Sequence, residues 1–232
     1  MKIRIFALVI MLSAMAQGQV NTEKMRMGLD RSGFAGNFKL SYSIVAGNSE
    51  LTRIDISPNI IRKLQKHQFF TLNNLSRVYS DDGTIINKAF SHLRYNYEIT
   101  PVYIYEFFLQ AQYNRSQKLD HRFLIGSGMR IVPVETEHFL WAIGLTLMHE
   151  EEKLSSGQIT KTPRNSDYIY LKYQPSDRIF FENTIYFQPA LDDFENVRVL
   201  DEAQVTIGIT ETFALTTEIN YFYDSQPPEG VE

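Results

Sequence analysis

Several stretches of this chain alternate apolar and polar residues with a period of two, and that periodicity leaves little room for anything but strands. In the run from Phe34 to Ile44 one phase holds Phe34, Phe38, Leu40, Tyr42 and Ile44, and the other holds Asn37, Lys39, Ser41 and Ser43. The pattern returns in Leu93, Tyr95, Tyr97 and Ile99, set against His92, Arg94, Asn96 and Glu98. It returns again in Tyr103 to Asn114 and in Phe213 to Tyr223. A period of two puts alternate side chains on opposite faces of a strand. The same reading predicts strands near 34–45, 51–62, 67–79, 88–99, 102–114, 121–132, 137–149, 165–174, 178–188, 196–210 and 213–223. Most reach the roughly 9–11 residues a tilted strand needs to cross a bilayer, against about 5–6 for a soluble strand.

The apolar phase is rich in Phe, Leu, Ile and Tyr. The opposite phase carries Lys39, Arg53, Asp55, Arg94, Glu98, Glu106, Arg122, Arg130, Lys172, Glu182, Glu202 and Glu218. A dry core would accept so many charges of both signs only if they were paired, whereas the interior of a transmembrane barrel accepts them. The expected fold is therefore all-β: an antiparallel up-and-down transmembrane β-barrel of about 11 visible strands, or 12 if a final strand is missing. Tyr42, Tyr79, Tyr97, Tyr103, Tyr113, Tyr173, Tyr221 and Tyr223 fall near strand ends, where interfacial aromatic girdles lie. A soluble lipocalin-like barrel would turn the same alternation inside out, apolar inward and charged outward.

The N-terminus supplies a second constraint. Lys2 and Arg4 precede an apolar run from Ile5 to Ala16, followed by Ala16-Gln17-Gly18. That is the layout of a secretory signal peptide, too short for a spanning helix. Residues 1–18 are expected to be removed between Gly18 and Gln19, leaving an N-terminal segment 19–33 and a barrel domain 34–232. Loss of Lys2 and Arg4 takes the formal net charge from −4 to about −6. Mild acidity excludes a nucleic-acid binder, which needs a basic stripe. With no cysteine, neither disulfides nor thiolate metal sites contribute.

Connections are expected to alternate in length, with tight turns at one end of the barrel and longer loops at the other. The turns fall at Leu64-Gln65, Thr100-Pro101, 133–135, 175–177 and 210–212. The loops fall at 46–50, 80–87, 114–120, 150–165, 189–195 and beyond Asp224. On this reading Glu150-Glu151-Glu152 opens the longest loop and Asp192-Asp193 lies in another. Such acids are ordinary solvated loop residues, or sites for divalent cations bridging lipopolysaccharide phosphates. Asn183 and Asp201 fall on the apolar phase, and Asp201 is expected above the hydrocarbon, because a charge on the lipid face is costly. Leu72-Asn73-Asn74-Leu75 breaks the phase and predicts a bulge or a strand that lies partly above the membrane.

The runs Leu93 to Glu98, Glu106 to Asn114 and Leu119 to Arg130, with Gly47-Asn48, Tyr186-Phe187-Gln188-Pro189 and Ser225-Gln226-Pro227-Pro228, resemble the domain of unknown function 481 family. That family includes proteins described as salt-induced outer-membrane proteins. The resemblance implies an outer-membrane β-barrel and no particular activity. Similar proteins continue past the Pro-Pro loop into a last strand ending in an aromatic residue. The expectation is a chain that stops short of it, leaving an open seam, with residues 21–33 as the alternative source of a strand.

Little in the sequence carries chemistry. His67, His92, His121, His138 and His149 lack metal-ligand spacing, and no nucleophile elbow, P-loop or dinucleotide fingerprint is present. Gly126-Ser127-Gly128 reads as small residues beneath a bulky neighbour. No catalytic residue, cofactor or metal is expected. The main expectation is an envelope-stress-related scaffold with a charge-plugged interior, monomeric, in contact with outer-membrane lipid and lipopolysaccharide. The alternatives are a narrow pore for ions or small solutes, if the interior charges segregate by sign, and an outer-membrane hydrolase built on His92 or His149 near the rim.

Overall fold

The computed structural model describes residues 32–47, 50–81 and 83–227. The expected signal peptide and all of segment 19–33 but its last two residues lie outside them. The strands are β1 (Gly33–Val45), β2 (Leu51–Leu64), β3 (His67–Ser80), β4 (Gly83–Glu98), β5 (Tyr103–Asn114), β6 (Leu119–Glu135), β7 (Phe139–Leu154), β8 (Ile159–Asn165), β9 (Asp167–Ser176), β10 (Ile179–Pro189), β11 (Val197–Gly208) and β12 (Ala214–Asp224). They form one antiparallel up-and-down sheet in which each strand pairs with its sequence neighbour, except that β8 and β9 both lie beside β7.

β8 and β9 are one ribbon. Leu147 pairs with Asn165 and Gly144 with Tyr168 on a single unbroken register. Between them the Ser166 amide still donates to the Thr146 carbonyl at 2.7 Å. The twelve segments thus occupy eleven positions, as alternation predicts. β1 pairs only with β2 and β12 only with β11, and among the described residues these two edge strands do not pair with each other.

The sheet curls strongly. Tyr168 on β9 reaches Glu106 on β5, and Arg198 on β11 reaches Glu150 on β7. Three strand spacings separate each pair, about 14 Å on a flat sheet. The phase that these residues share is therefore the concave one. Along β7 its members Ala142, Gly144, Thr146, Met148, Glu150 and Glu152 are buried. The convex phase presents Phe38 at 68% exposure, Ile219 at 63% and Leu147 at 60%. Apolar outside and polar inside is the reverse of a soluble barrel.

Two expectations about connections fail. The segment 150–165 is not a loop: β7 and β8 continue the hairpin and leave only 155–158 as its turn. Likewise β4 begins at Gly83 rather than near residue 88, and 114–120 contains a short 3₁₀ turn, Arg115–Gln117. The contrast between long loops and tight turns therefore nearly vanishes. Charge and turn-like composition misled the reading, since a strand with its charges facing one another needs no solvent. At Leu72–Leu75 the β3–β4 ladder keeps its register and shifts at Val78/Tyr79 instead. The β2–β3 ladder is interrupted between Ile56–Leu75 and Ile60–Thr71, where Asn73 donates hydrogen bonds to Asn59 and Pro58.

Three hairpins at one end of the sheet share a device. Thr100, Thr136 and Thr210 each donate their amide to the carbonyl of the aromatic residue three places on, namely Tyr103, Phe139 and Phe213. Each Thr Oγ1 accepts that aromatic residue's amide in return, at 3.0–3.1 Å. A hydroxyl that satisfies a turn amide fixes a short connection without glycine. The same step sends an aromatic ring to the convex face at the turn.

Candidate functional site

The concave face is where the sequence places its chemistry, and all twelve expected interior charges lie on that phase of the sheet. They do not form one continuous ladder. Arg94 and Glu106 meet across β4 and β5 at 3.1 Å, both 1% exposed. Arg53 and Asp55 pair along β2 at 2.6 Å, more openly. Arg122 joins a larger cluster described below, and Glu182 takes a long contact of 3.5 Å from the Tyr170 hydroxyl. Lys172 lies 6.0 Å from the Phe180 ring. Glu98 and Glu202 are half-buried, and Lys39 and Glu218 are exposed near the two sheet edges.

The densest group involves residues that alternation alone did not single out. Glu150 and Glu152 on β7 sit among Arg122 on β6, Arg164 on β8 and Arg198 on β11. Arg198 Nη1 donates to Glu150 Oε1 and Oε2 at 2.8 and 2.7 Å, and its Nε donates to Asp224 at 2.7 Å. Arg122 Nε donates to Glu152 at 2.7 Å, and Arg164 Nε lies 3.5 Å from Glu150. Three guanidinium groups face three carboxylates, so the cluster is neutral as a whole. Guanidinium forks suit such a site because each offers several donors in a plane. The sequence signal was present: Glu150 and Glu152 continue the phase of Thr146 and Met148, and Arg164 continues that of Tyr168. The alternate residue Glu151 points outward, where Lys161 meets it at 3.0 Å. The acid run is thus strand, not a solvated loop.

A second buried relay links β4, β5, β6 and β9. The Tyr168 hydroxyl donates to Glu106 Oε2 at 3.0 Å and accepts from Arg130 Nη1 at 3.1 Å. Arg94 donates to the same carboxylate oxygen. Tyr168 reaches this position by lying across Gly144, where a Cβ would fall 1.9 Å from its ring. Gly126 plays the same part beneath Phe108, with 2.3 Å available. The small residues seen in the sequence are thus floors for aromatic rings. Arg94 and Arg130 sit over Phe108 and over Tyr168 and Tyr170 at 5.3–5.8 Å, a favourable placement for a cation.

The histidines do not assemble a catalytic pair. His92 is fully buried, stacked on Phe108 at 5.5 Å, and its Nδ1 faces Gln110 Oε1 at 3.1 Å rather than a serine or carboxylate. His149 is exposed on the convex face. No group of three His, Asp or Glu side chains with metal-binding geometry occurs among the described residues. Asn183 and Asp201 do share the convex face, and Asn183 Nδ2 donates to Asp201 Oδ1 at 2.6 Å.

Comparison with known proteins gives one extended match. Residues 38–232 match the family described as "Protein of unknown function, DUF481". No curated protein matches the sequence. Among solved structures the chain is similar to the translocator domain of the autotransporter NalP from Neisseria meningitidis. The identity is 13%, the TM-score is 0.45 and 87% of each chain is covered.

Proposed function

Taking as premise that the chain belongs to the DUF481 family, we propose that it is an integral outer-membrane β-barrel, exported by residues 1–18, with an interior closed by ion pairs. The observation that carries this reading is the inversion of polarity. Arg94, Arg130 and Arg164 are among the most buried side chains, while Phe38, Leu40, Leu147 and Ile219 stand exposed on the other face. In water that arrangement would present a continuous greasy surface, which soluble monomers avoid. In hydrocarbon the same surface is the favourable one, and backbone groups are satisfied by strand pairing. Convex aromatics add support: Tyr97, Tyr103, Phe139, Trp141, Tyr173 and Phe213 gather at the threonine-turn end, as an interfacial girdle would.

Within that barrel the opposite charges touch rather than segregate, which favours a structural, non-conducting component over a pore. Membrane lipid and lipopolysaccharide are its proposed surroundings, and a single chain its proposed state. Two measurements test the proposal. Fractionation places the protein in the outer membrane, extractable by detergent alone and with heat-modifiable gel mobility; recovery as a soluble periplasmic protein overturns it. In planar bilayers the folded protein is silent, and discrete conductance steps that survive in the folded fraction would replace the plugged scaffold with the pore.

A further inference from the structure

We infer that the concave face carries a binding cup for a short saccharide bearing at most one acidic group, set between β2 and β5. A cavity of about 360 Å³ lies there, its walls drawn from four successive strands and the 3₁₀ turn. Small-molecule sites begin near this size, about 300 Å³, room for one or two sugar rings. On the same strands, towards the threonine-turn end, Ile61, Phe70, His92 and Phe108 are buried. They close that side, so the space is a cup and not a channel.

The lining differs from the rest of the interior. The Glu150 cluster and the Arg94 relay are ionic, whereas here the amides of Asn74, Gln112, Asn114 and Gln117 are set among the apolar surfaces of Leu72, Ala89 and Phe90. Phe90 supplies an aromatic surface and Lys88 the cavity's cation. Amides present a donor and an acceptor in one plane, which matches neighbouring hydroxyls on a sugar, and an aromatic ring suits the C–H face. One acceptor is left waiting: Asn114 Oδ1 is buried without a partner, although Nδ2 of the same side chain donates to Gln117. An unsatisfied buried acceptor is costly, and a ligand hydroxyl that meets it as the Asn114 side chain turns towards the cavity would remove that penalty. The charges nearby set the class. Arg53 and Lys88 share the single carboxylate of Asp55, with Arg53 in direct contact, so the group leaves one net positive charge for the ligand. A multiply charged phosphate lacks partners here, and a wholly apolar ligand would leave the wall's amides without partners.

Because the cup lies on the concave face whatever medium covers the other, it can be tested even if the membrane reading fails. Isothermal titration of folded protein in detergent with glucuronate, glucose and acetate is the direct experiment. Glucuronate binds saturably, glucose about tenfold more weakly, and acetate, which has the carboxylate without the hydroxyls, not at all. Lys88→Met abolishes the preference for glucuronate over glucose. Asn114→Leu weakens both sugars about tenfold, the scale of one hydrogen bond; Gln112→Leu does the same and serves if the first variant does not fold. Lys161→Met, on the convex face, leaves binding unchanged. Absence of saturable heat with either sugar on heat-modifiable protein overturns the inference, as does wild-type binding by the cup variants or equal binding of acetate.

Discussion

Replacing Arg198 with Met removes one guanidinium from a neutral cluster of three cations and three carboxylates, and its effect follows from the contacts. Arg198 gives both oxygens of Glu150 a donor, at 2.8 and 2.7 Å, and holds Asp224 at 2.7 Å. Without it Glu150 keeps only the longer contacts to Arg164 at 3.5 Å and Arg122 at 3.8 Å. The interior is left with a surplus negative charge. Breaking a buried pair costs about 3–5 kcal/mol, most of it the penalty of the orphaned partner. At roughly 2–4 °C per kcal/mol for a domain of this size, the thermal midpoint falls by roughly 6–20 °C. Adding Glu150→Gln restores neutrality, so the double variant is more stable than the sum of the two single losses, by about 0.5–3 kcal/mol of coupling. The assay is the midpoint of the heat-modifiable mobility shift, with circular dichroism of the same refolded samples. If Arg198→Met and Glu150→Gln add without coupling, the cluster is not acting as a unit and the reasoning is wrong. The exposed pair Lys161–Glu151 is the control, and Lys161→Met leaves the midpoint nearly unchanged, because solvent screens such a pair.

Three further outcomes are expected. Gly144→Ala drives a Cβ into the Tyr168 ring and destabilises the fold by about 1–3 kcal/mol, while in a Tyr168→Ala background, where the ring is gone, the same change costs less; a neutral Gly144→Ala would refute the packing. Tyr168→Phe keeps the ring but deprives Glu106 of a donor, and a loss of about 1–3 kcal/mol is read from the same melting curve. Thr136→Val removes the Oγ1 that accepts the Phe139 amide and slows refolding of that hairpin, whereas Thr136→Ser does not; equal refolding rates would discard the role of the hydroxyl.

Alternation located eight of the eleven ribbons to within three residues at either end, because each has one face committed to apolar side chains. It failed at 150–165 for a physical reason. Glu150 and Glu152 are strand residues held by Arg122 on β6 and Arg198 on β11 as well as by Arg164, and Arg164 itself is held by Gln188 and Asn196, so no local window contains the whole arrangement. Period two assigned the faces of Arg94, Glu106, Arg122 and Arg130, but their partners depend on curl, which brings Tyr168 to Glu106 and Arg198 to Glu150. Thr100, Thr136 and Thr210, each three residues before an aromatic, close hairpins at one end of the sheet, but the spacing alone does not identify them, because Thr184 stands three residues before Phe187 within β10.

The hydrogen-bonded pair Asn183–Asp201 offers the sharpest discrimination between hydrocarbon and water on the convex face. In register Asp201 lies between Ile185 and Tyr221, and Asn183 between Leu171 and Ala203, so the pair is a polar spot among apolar neighbours. Sequence phase alone expects Asp201 above the hydrocarbon, but its apolar neighbours on the convex face favour contact with lipid. There two polar side chains that satisfy mainly each other still cost free energy, less than the roughly 2–4 kcal/mol of a basic residue at the midplane. Replacing both by Leu therefore stabilises the protein in lipid vesicles, raising its urea midpoint. In water the same replacement enlarges an exposed apolar patch, gains nothing in stability and lowers solubility. Asp201→Leu alone is less favourable than the double variant, because the Asn183 amide loses its acceptor in a low-dielectric setting. A double variant that is less stable in vesicles than the parent would place this face, or at least the part of it around Asp201, outside hydrocarbon.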